Sequence, residues 1–259
     1  MSESQSEART LLLPFPPGCV TTRLVRREKR FTAVTTDLAT GAEVRAHTNN
    51  TGTMLGLLRP GNLALLSPAK NPDRALKWTL EALALPGCDS AKPLWVGVNT
   101  QTPNRLLEAA WRARLLPEAR EYPNFAREAV IGESRLDGLC TGDGLPPLYI
   151  ECKNVTLVED GQAQFPDAAT ERGRKHLAEL TRLVAQGCRA ALFFLVQRPD
   201  GDCFAPAEAI DPDYAGALGV ALEAGVEAWA WRAHVDEAGI HLAGRLPLAP
   251  CWAARQRKG

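Results

Sequence analysis

The chain lacks an excess of charge of either sign: 30 Lys and Arg balance 30 Asp and Glu over 259 residues, and the sequence pI is near 6.9. That excludes a global field as the means of drawing in a polyanion, so contact with nucleic acid must rest on local basic patches. It also lacks paired cysteines. The seven, at 19, 88, 140, 152, 188, 203 and 251, never take C-x2-C or C-x4-C spacing. An odd, scattered set leaves out a zinc knuckle and a disulfide framework and points to a reducing cytoplasm. Near the start there is only a five-residue apolar run, too short for a signal peptide or a membrane span, so no membrane partner is expected. No helix-turn-helix pattern and no internal repeat is visible. What is left, 45% hydrophobic and 23% charged, is the composition of a globular chain long enough for two domains.

The first of these runs from Cys19 to Leu85 as short alternating segments: Val20–Arg27, Arg30–Thr36, Ala42–His47, Gly61–Ser67 and Lys77–Leu85, with a turn at Asp37–Gly41. Five short strands with a small insert at Thr53–Leu58 suit an OB-like barrel. Arg23, Arg26, Arg27, Lys29 and Arg30, with Phe31 beside them, form its densest basic cluster. The cluster reads equally as a nucleic-acid-facing surface or as a solvated strand and turn. The polar run His47 to Met54 reads as a turn, with a tight functional loop as the sharper alternative, and His47 as structural.

From Pro93 the pattern changes to alternating strand and helix, which places a domain boundary near Pro86–Lys92. Leu94–Val98 reads as a strand and Arg105–Leu115 as a helix opened by Pro103. Glu108 on that helix could lean toward a metal site but is expected to be exposed. The stretch from Glu133 to Asn154 carries the chemistry. Alternation over Leu148–Val155 puts Tyr149, Glu151 and Lys153 on one strand face and Ile150, Cys152 and Asn154 on the other. The turn-rich segment Thr141–Pro147 doubles the chain back so that Asp137 comes alongside Glu151. Two carboxylates held together repel as anions and form a natural seat for a hard divalent cation, Mg²⁺ or Mn²⁺. Lys153 beside them could orient a metal-bound water and offset charge at a phosphate. The spacing D-x13-E-x-K is that of the PD-(D/E)xK nucleases; alone it is also that of an exposed strand face with a cross-strand charge pair.

Beyond the hairpin, Asp167 is a candidate N-cap. Gly173, Leu177, Leu180 and Val184 mark a buried helical stripe, and Gly187 is its stop. The opposite face offers Arg172, Arg174, Lys175 and His176, suited to phosphates or, more plainly, to solvent with a Glu171–Lys175 pair. Arg189–Gln197 is almost wholly apolar and reads as a central strand. Tyr214–Ala224 is a helix stopped at Gly225, and Val226–Val235 and Ile240–Leu248 are strands, with Trp229 and Trp231 as core. Arg255, Arg257 and Lys258 are expected to form a disordered basic tail.

The runs WVGVNTQTPNRLLEAA, ECKNVTLVEDGQAQFPDAATERGRKHLAEL and AALFFLVQRPDG closely resemble the sugar fermentation stimulation protein A family, a likeness extending from about Pro17 to Leu248. The resemblance implies a mixed α/β protein: an N-terminal OB-like barrel, residues 1–86, and a C-terminal PD-(D/E)xK nuclease-like α/β domain, residues 87–259. It further implies non-sequence-specific binding of DNA, with RNA also open, and a regulatory link to maltose use; a Mg²⁺-dependent nuclease is the alternative. The nuclease-like positions fall on Asp137, Glu151 and Lys153, with Asp137 and Glu151 as the metal ligands. Two departures stand out. Thr48 and Asn49 replace the Cys-Pro of the family's H-C-P-N-x-G-S-M loop, and Gly138 follows the aspartate where an apolar residue is usual.

Overall fold

The computed structural model describes residues 9–86, 92–131 and 134–256. Strands β2 (Val20–Glu28), β3 (Thr32–Asp37), β4 (Glu43–His47), β5 (Leu63–Pro68) and β6 (Trp78–Ala84) pair in the order β4-β3-β2-β5-β6. A parallel β4–β6 pairing closes them into the expected five-strand OB barrel. Alternation turns Leu24, Ala33, Ala46, Ala64, Leu66 and Leu80 inward, and the segment after β4 folds Met54 and Leu57 into the same core. The turn after β3 forms because Asp37 Oδ1 accepts from the backbone N–H groups of Ala39 (3.0 Å) and Thr40 (2.8 Å).

The strands of the second unit carry a seven-stranded sheet. Its order is β1 (Thr10–Pro14), β16 (Gly239–Leu246), β15 (Glu227–Val235), β13 (Arg189–Val196), β10 (Leu148–Val155), β9 (Ser134–Thr141) and β8 (Asn124–Ile131). β10, β13 and β15 run parallel at the centre, and the edges are antiparallel. Helix α1 (Thr102–Arg112) packs on one face over Ile150, Cys152, Trp229 and Trp231. On the other lie α2 (Glu171–Ala185) and α3 (Pro212–Glu223) over Leu192, Phe194 and Ala230. Both faces of β13 are covered, which is why its sequence is apolar from Ala190 to Val196. A small sheet of β11 (Leu157–Glu159), β12 (Gln162–Phe165) and β14 (Cys203–Pro206) leads into α2, and α4 (Pro250–Gln256) packs on α3 through Trp252.

Four expectations are corrected. The division at residues 86/87 is crossed twice: β7 (Trp95–Gly97) hydrogen-bonds to β6 and extends the barrel sheet, whereas β1, at the start of the chain, pairs with β16 in the other sheet. Part of the expected linker, residues 87–91, lies outside the described residues, as does Glu133 at the head of the hairpin. α2 is capped by Thr170, whose hydroxyl accepts from Gly173 N at 3.0 Å, and not by Asp167. His176 is on the buried side of α2, 8% exposed, and not on its solvent face. Arg255 is held in α4 against Glu223 and the Trp252 ring; Arg257 and Lys258 lie outside the described residues. Among the described residues no helix is long and apolar enough to cross a membrane.

Candidate functional site

β9 and β10 form the hairpin that the turn residues demanded, with Ile150 opposite Gly138 and Leu148 opposite Cys140. Gly138 has a packing reason: a Cβ there would come within 3.1–3.3 Å of Phe125 and Leu107. The next residue back, Asp137, is therefore carried to the strand beside Glu151. Its Oδ2 accepts from the backbone N–H of Cys152 at 2.8 Å and its Oδ1 from the side-chain amide of Asn104 on α1 at 2.5 Å. Burial, and after it the negative charge of Glu151, pushes the Asp137 carboxyl up to about 6.

Glu151 is 4% exposed and Lys153 9%, so a charged pair sits inside the domain. Glu151 Oε1 accepts from Lys153 Nζ at 2.7 Å and makes a short contact with His176 Nδ1. A carboxylate neighbour assigns the ring proton to Nδ1, which donates to Glu151, and leaves Nε2 as an acceptor facing Arg172 Nε at 3.5 Å. Burial alone would raise the Glu151 carboxyl, but Lys153's charge and the His176 hydrogen bond outweigh it and hold the group below its usual range. The other oxygen, Oε2, is buried without a hydrogen-bond donor among the described residues. So is the Tyr214 hydroxyl, whose pKa is raised by burial and then by Glu151 and Asp211. A buried carboxylate oxygen with no donor is costly, and a cation is the partner such an atom lacks. Among the described residues no cluster of three or more His, Cys, Asp or Glu forms a complete ligand set, so Asp137 and Glu151 would hold a hard ion with help from solvent or substrate oxygens.

The loop after β4 lies against this centre. Asn49, Asn50, Thr51 and Gly52 line a cleft of about 280 Å³ together with Lys153, Asn154, Thr156 and Asp167. Asn50 donates to Val98 O at 3.1 Å and accepts from Gly52 N at 2.9 Å. Asp167, from the second domain, accepts from Met54 N at 2.8 Å and from the Thr53 hydroxyl. A Cβ on Gly52 would meet both Asp167 oxygens at 3.0 Å, so only glycine allows the loop so close. The run thus packs closely against the second domain and joins the two. Asp167→Ala should strand the buried Met54 N–H and cost about 1–3 kcal/mol, read as a lower midpoint in urea. A midpoint equal to wild type would mean the latch carries no load.

The basic residues are mostly engaged. Arg23 donates to Gly61 O at 2.7 Å, Arg26 pairs with Glu28 at 2.6 Å, and Arg27 holds Gly52 O at 2.7 Å. Arg174 pairs with Asp211 and Lys175 with Glu171. Lys29 and Arg30, both exposed with positive φ, are free of such partners among the described residues, and Arg172 has only its distant contact with His176. Glu108 is taken up by Arg112 and Arg127. His47 stacks on Phe31, as a structural residue would.

Asn104 and Tyr214 carried no signal in the sequence that marked them as site residues, and His176 was assigned to the wrong face of its helix. The right face was within reach of the sequence: positions 173, 176, 177, 180 and 183 are one helical stripe, all buried, and the histidine falls on it beside Leu177.

A closed five-strand barrel joined to an α/β domain in which a partly buried acid stands beside a buried acid and lysine defines a two-domain class in which the site lies where barrel loop and sheet meet. Two family models cover the chain, the SfsA N-terminal OB domain over residues 25–98 and the sugar fermentation stimulation protein RE domain over residues 101–239. A sugar fermentation stimulation protein homolog of Maridesulfovibrio salexigens is 54% identical over 242 residues, 93% of this chain and 98% of that one. One from Syntrophobacter fumaroxidans is 50% identical over 237 residues, 92% and 87% of the two chains. The structure of Pyrococcus furiosus SfsA in complex with Ca²⁺ superposes with a TM-score of 0.81 at 28% identity, covering 93% of this chain and 99% of that one. The chain belongs to the sugar fermentation stimulation protein family.

Proposed function

We propose that the protein binds nucleic acid, DNA foremost, without reading its sequence, and holds Mg²⁺ or Mn²⁺ on Asp137 and Glu151 beside Lys153. The observation that carries this is the pair of carboxyls, Glu151 buried and Asp137 partly so: Glu151 Oε2 has no donor among the described residues, and Asp137 is pushed up to about 6 by burial and by Glu151. Both features are relieved by a divalent cation. The Ca²⁺ complex of the Pyrococcus furiosus relative supports the reading, because Ca²⁺ and Mg²⁺ both take hard oxygen ligands. A bound cation supplies Lewis-acid polarisation of a phosphoryl oxygen and a more acidic water. The chain's own residues do the rest. Asn104 and the Cys152 N–H fix the Asp137 carboxylate, His176 and Lys153 fix Glu151, and Lys153 brings positive charge to the place where a phosphate would gain negative charge.

The exposed basic side chains without an ion pair among the described residues, Lys29, Arg30 and Arg172, give an electrostatic hold on the backbone of DNA or RNA, in the cytoplasm. The names of the relatives support a regulatory link to sugar use. The presence of Lys153 beside the acids favours a second reading, that the protein cleaves phosphodiesters when the cation is bound. The test is purified protein with labelled single- and double-stranded DNA and RNA, with Mg²⁺, with Mn²⁺ and with chelator. Binding should be indifferent to sequence, with a log–log salt slope of several units, and any cleavage should occur only with metal. A salt-insensitive complex, or one confined to a single operator, overturns the binding claim.

A further inference from the structure

Lys70 and Arg105 have no hydrogen-bonding side-chain partner and no ion pair among the described residues, unlike Arg74, which donates to Leu76 O, Trp78 O and Thr79 Oγ1, or Arg127, which pairs with Glu108. The two lie together where the barrel meets α1. One cleft, about 560 Å³, runs between the arm Pro14–Pro16, the β5–β6 side of the barrel and Arg105. A second, about 450 Å³, contains Asn104 and Asp137. The clefts share Lys70, Gln101 and Arg105, so the two unpaired cations stand at the joint between them. The second cleft in turn shares Thr100 with the cleft over Lys153 and the 49–52 loop. The acids facing this path are occupied or belong to the site: Glu81 accepts from Ser67 and Asn99, Glu128 pairs with Arg135, and Asp137 is the candidate metal ligand.

We infer that this chain of clefts takes a single-stranded polynucleotide, threaded between the domains with phosphates on Lys70 and Arg105 and the next phosphodiester at Asp137. The inference rests on the nucleic-acid reading above and names its substrate class. Clefts of about 300–1,000 Å³ each hold one small molecule, which is the scale of a nucleotide and not of a duplex. Two cations at a joint suit a chain of regularly spaced anions, where a lone anion needs only one. Gln101 and Asn104, on the same walls, present amides able to meet sugar or base edges.

The test is fluorescence anisotropy in chelator, with labelled oligodeoxythymidine and oligouridine of about 12 nucleotides and a blunt duplex of the same length. Wild type should prefer single strands, and the tighter of the two names the sugar that the clefts take. Lys70→Ala/Arg105→Ala should lower single-strand affinity about tenfold or more, reduce the salt slope by about 1.4, and erase the preference over duplex. Its melting temperature should not change, since neither side chain has a partner to lose. Lys29→Ala/Arg30→Ala removes the same charge from the barrel tip and should weaken single and double strands by one factor, keeping the preference. A wild-type preference for duplex, or a cleft variant that keeps its single-strand preference, overturns the inference. The metal reading is tested separately in the same variants, because Asp137 is untouched. A Mg²⁺ melting shift without strand preference defeats the threading alone, and strand preference without a Mg²⁺ shift defeats the metal site alone.

Discussion

In chelator, well above pH 6, Asp137→Asn is expected to melt at a higher temperature than wild type, and to be indifferent to Mg²⁺. The wild-type carboxyl sits at about 6 instead of the usual 3.8. Between those values the folded protein keeps a proton that the unfolded chain has released, so stability falls as pH rises through that window. Above it, the ionised group without metal costs at most on the order of 3 kcal/mol, less where solvent reaches its half-buried edge. The amide removes the charge: its oxygen can still accept from the Cys152 N–H, and its nitrogen can donate to Asn104 once the Asn104 amide turns its oxygen toward it. Wild type should recover the lost stability on binding cation: at a hundredfold excess over Kd the gain is about 2.7 kcal/mol, roughly 5–10 °C for a chain of this size. Scanning calorimetry over a Mg²⁺ series and a pH series measures both effects. Equal Mg²⁺ shifts in the two proteins would remove Asp137 from any cation site.

A larger loss is expected from Lys153→Met. Glu151 and Lys153 are both almost wholly buried, 2.7 Å apart, and the carboxylate's second oxygen already has no donor among the described residues. Taking away the ammonium leaves an anion in the core with only His176 to meet it, and breaking a buried pair in this way costs about 3–5 kcal/mol. The cost arises from the stranded charge and not from lost packing, since methionine replaces most of the lysine's bulk. Glu151→Gln in the same chain should therefore restore most of the stability while leaving the Mg²⁺ response absent. Denaturant midpoints of the two single variants and the double variant form the cycle that reads this coupling. Additive losses would show that the pair's burial has no electrostatic cost.

Legibility in the sequence followed the period of the pattern. Alternation over Leu148–Val155 was enough to put Glu151 and Lys153 on one face, because a strand's side chains have no other choice. The all-apolar run Ala190–Val196 announced a strand covered on both sides. The segments of the barrel were equally readable from their turns. β8 was missed because it is an edge strand with mostly exposed residues and so has no apolar period to read. β1 was missed because its short apolar run finds its partner, β16, more than two hundred positions away.

The sequence by itself therefore determined the elements with a clear period of their own, the acid–acid–lysine spacing and the turn that folds it into a hairpin, all of which depend on residues near one another in the chain. Only the tertiary structure decided that Asn104 from α1 and His176 from α2 complete the site from opposite faces of the sheet, and that Asp167 pins the barrel's loop over it. It also decided which cations are free. Arg23, Arg26, Arg27, Arg174 and Lys175 look alike in sequence to Lys70 and Arg105, but their partners lie elsewhere in the chain or fold back to meet them. A charge is available or spent according to which acid or carbonyl packing brings within about 3 Å of it, and no local pattern encodes that distance.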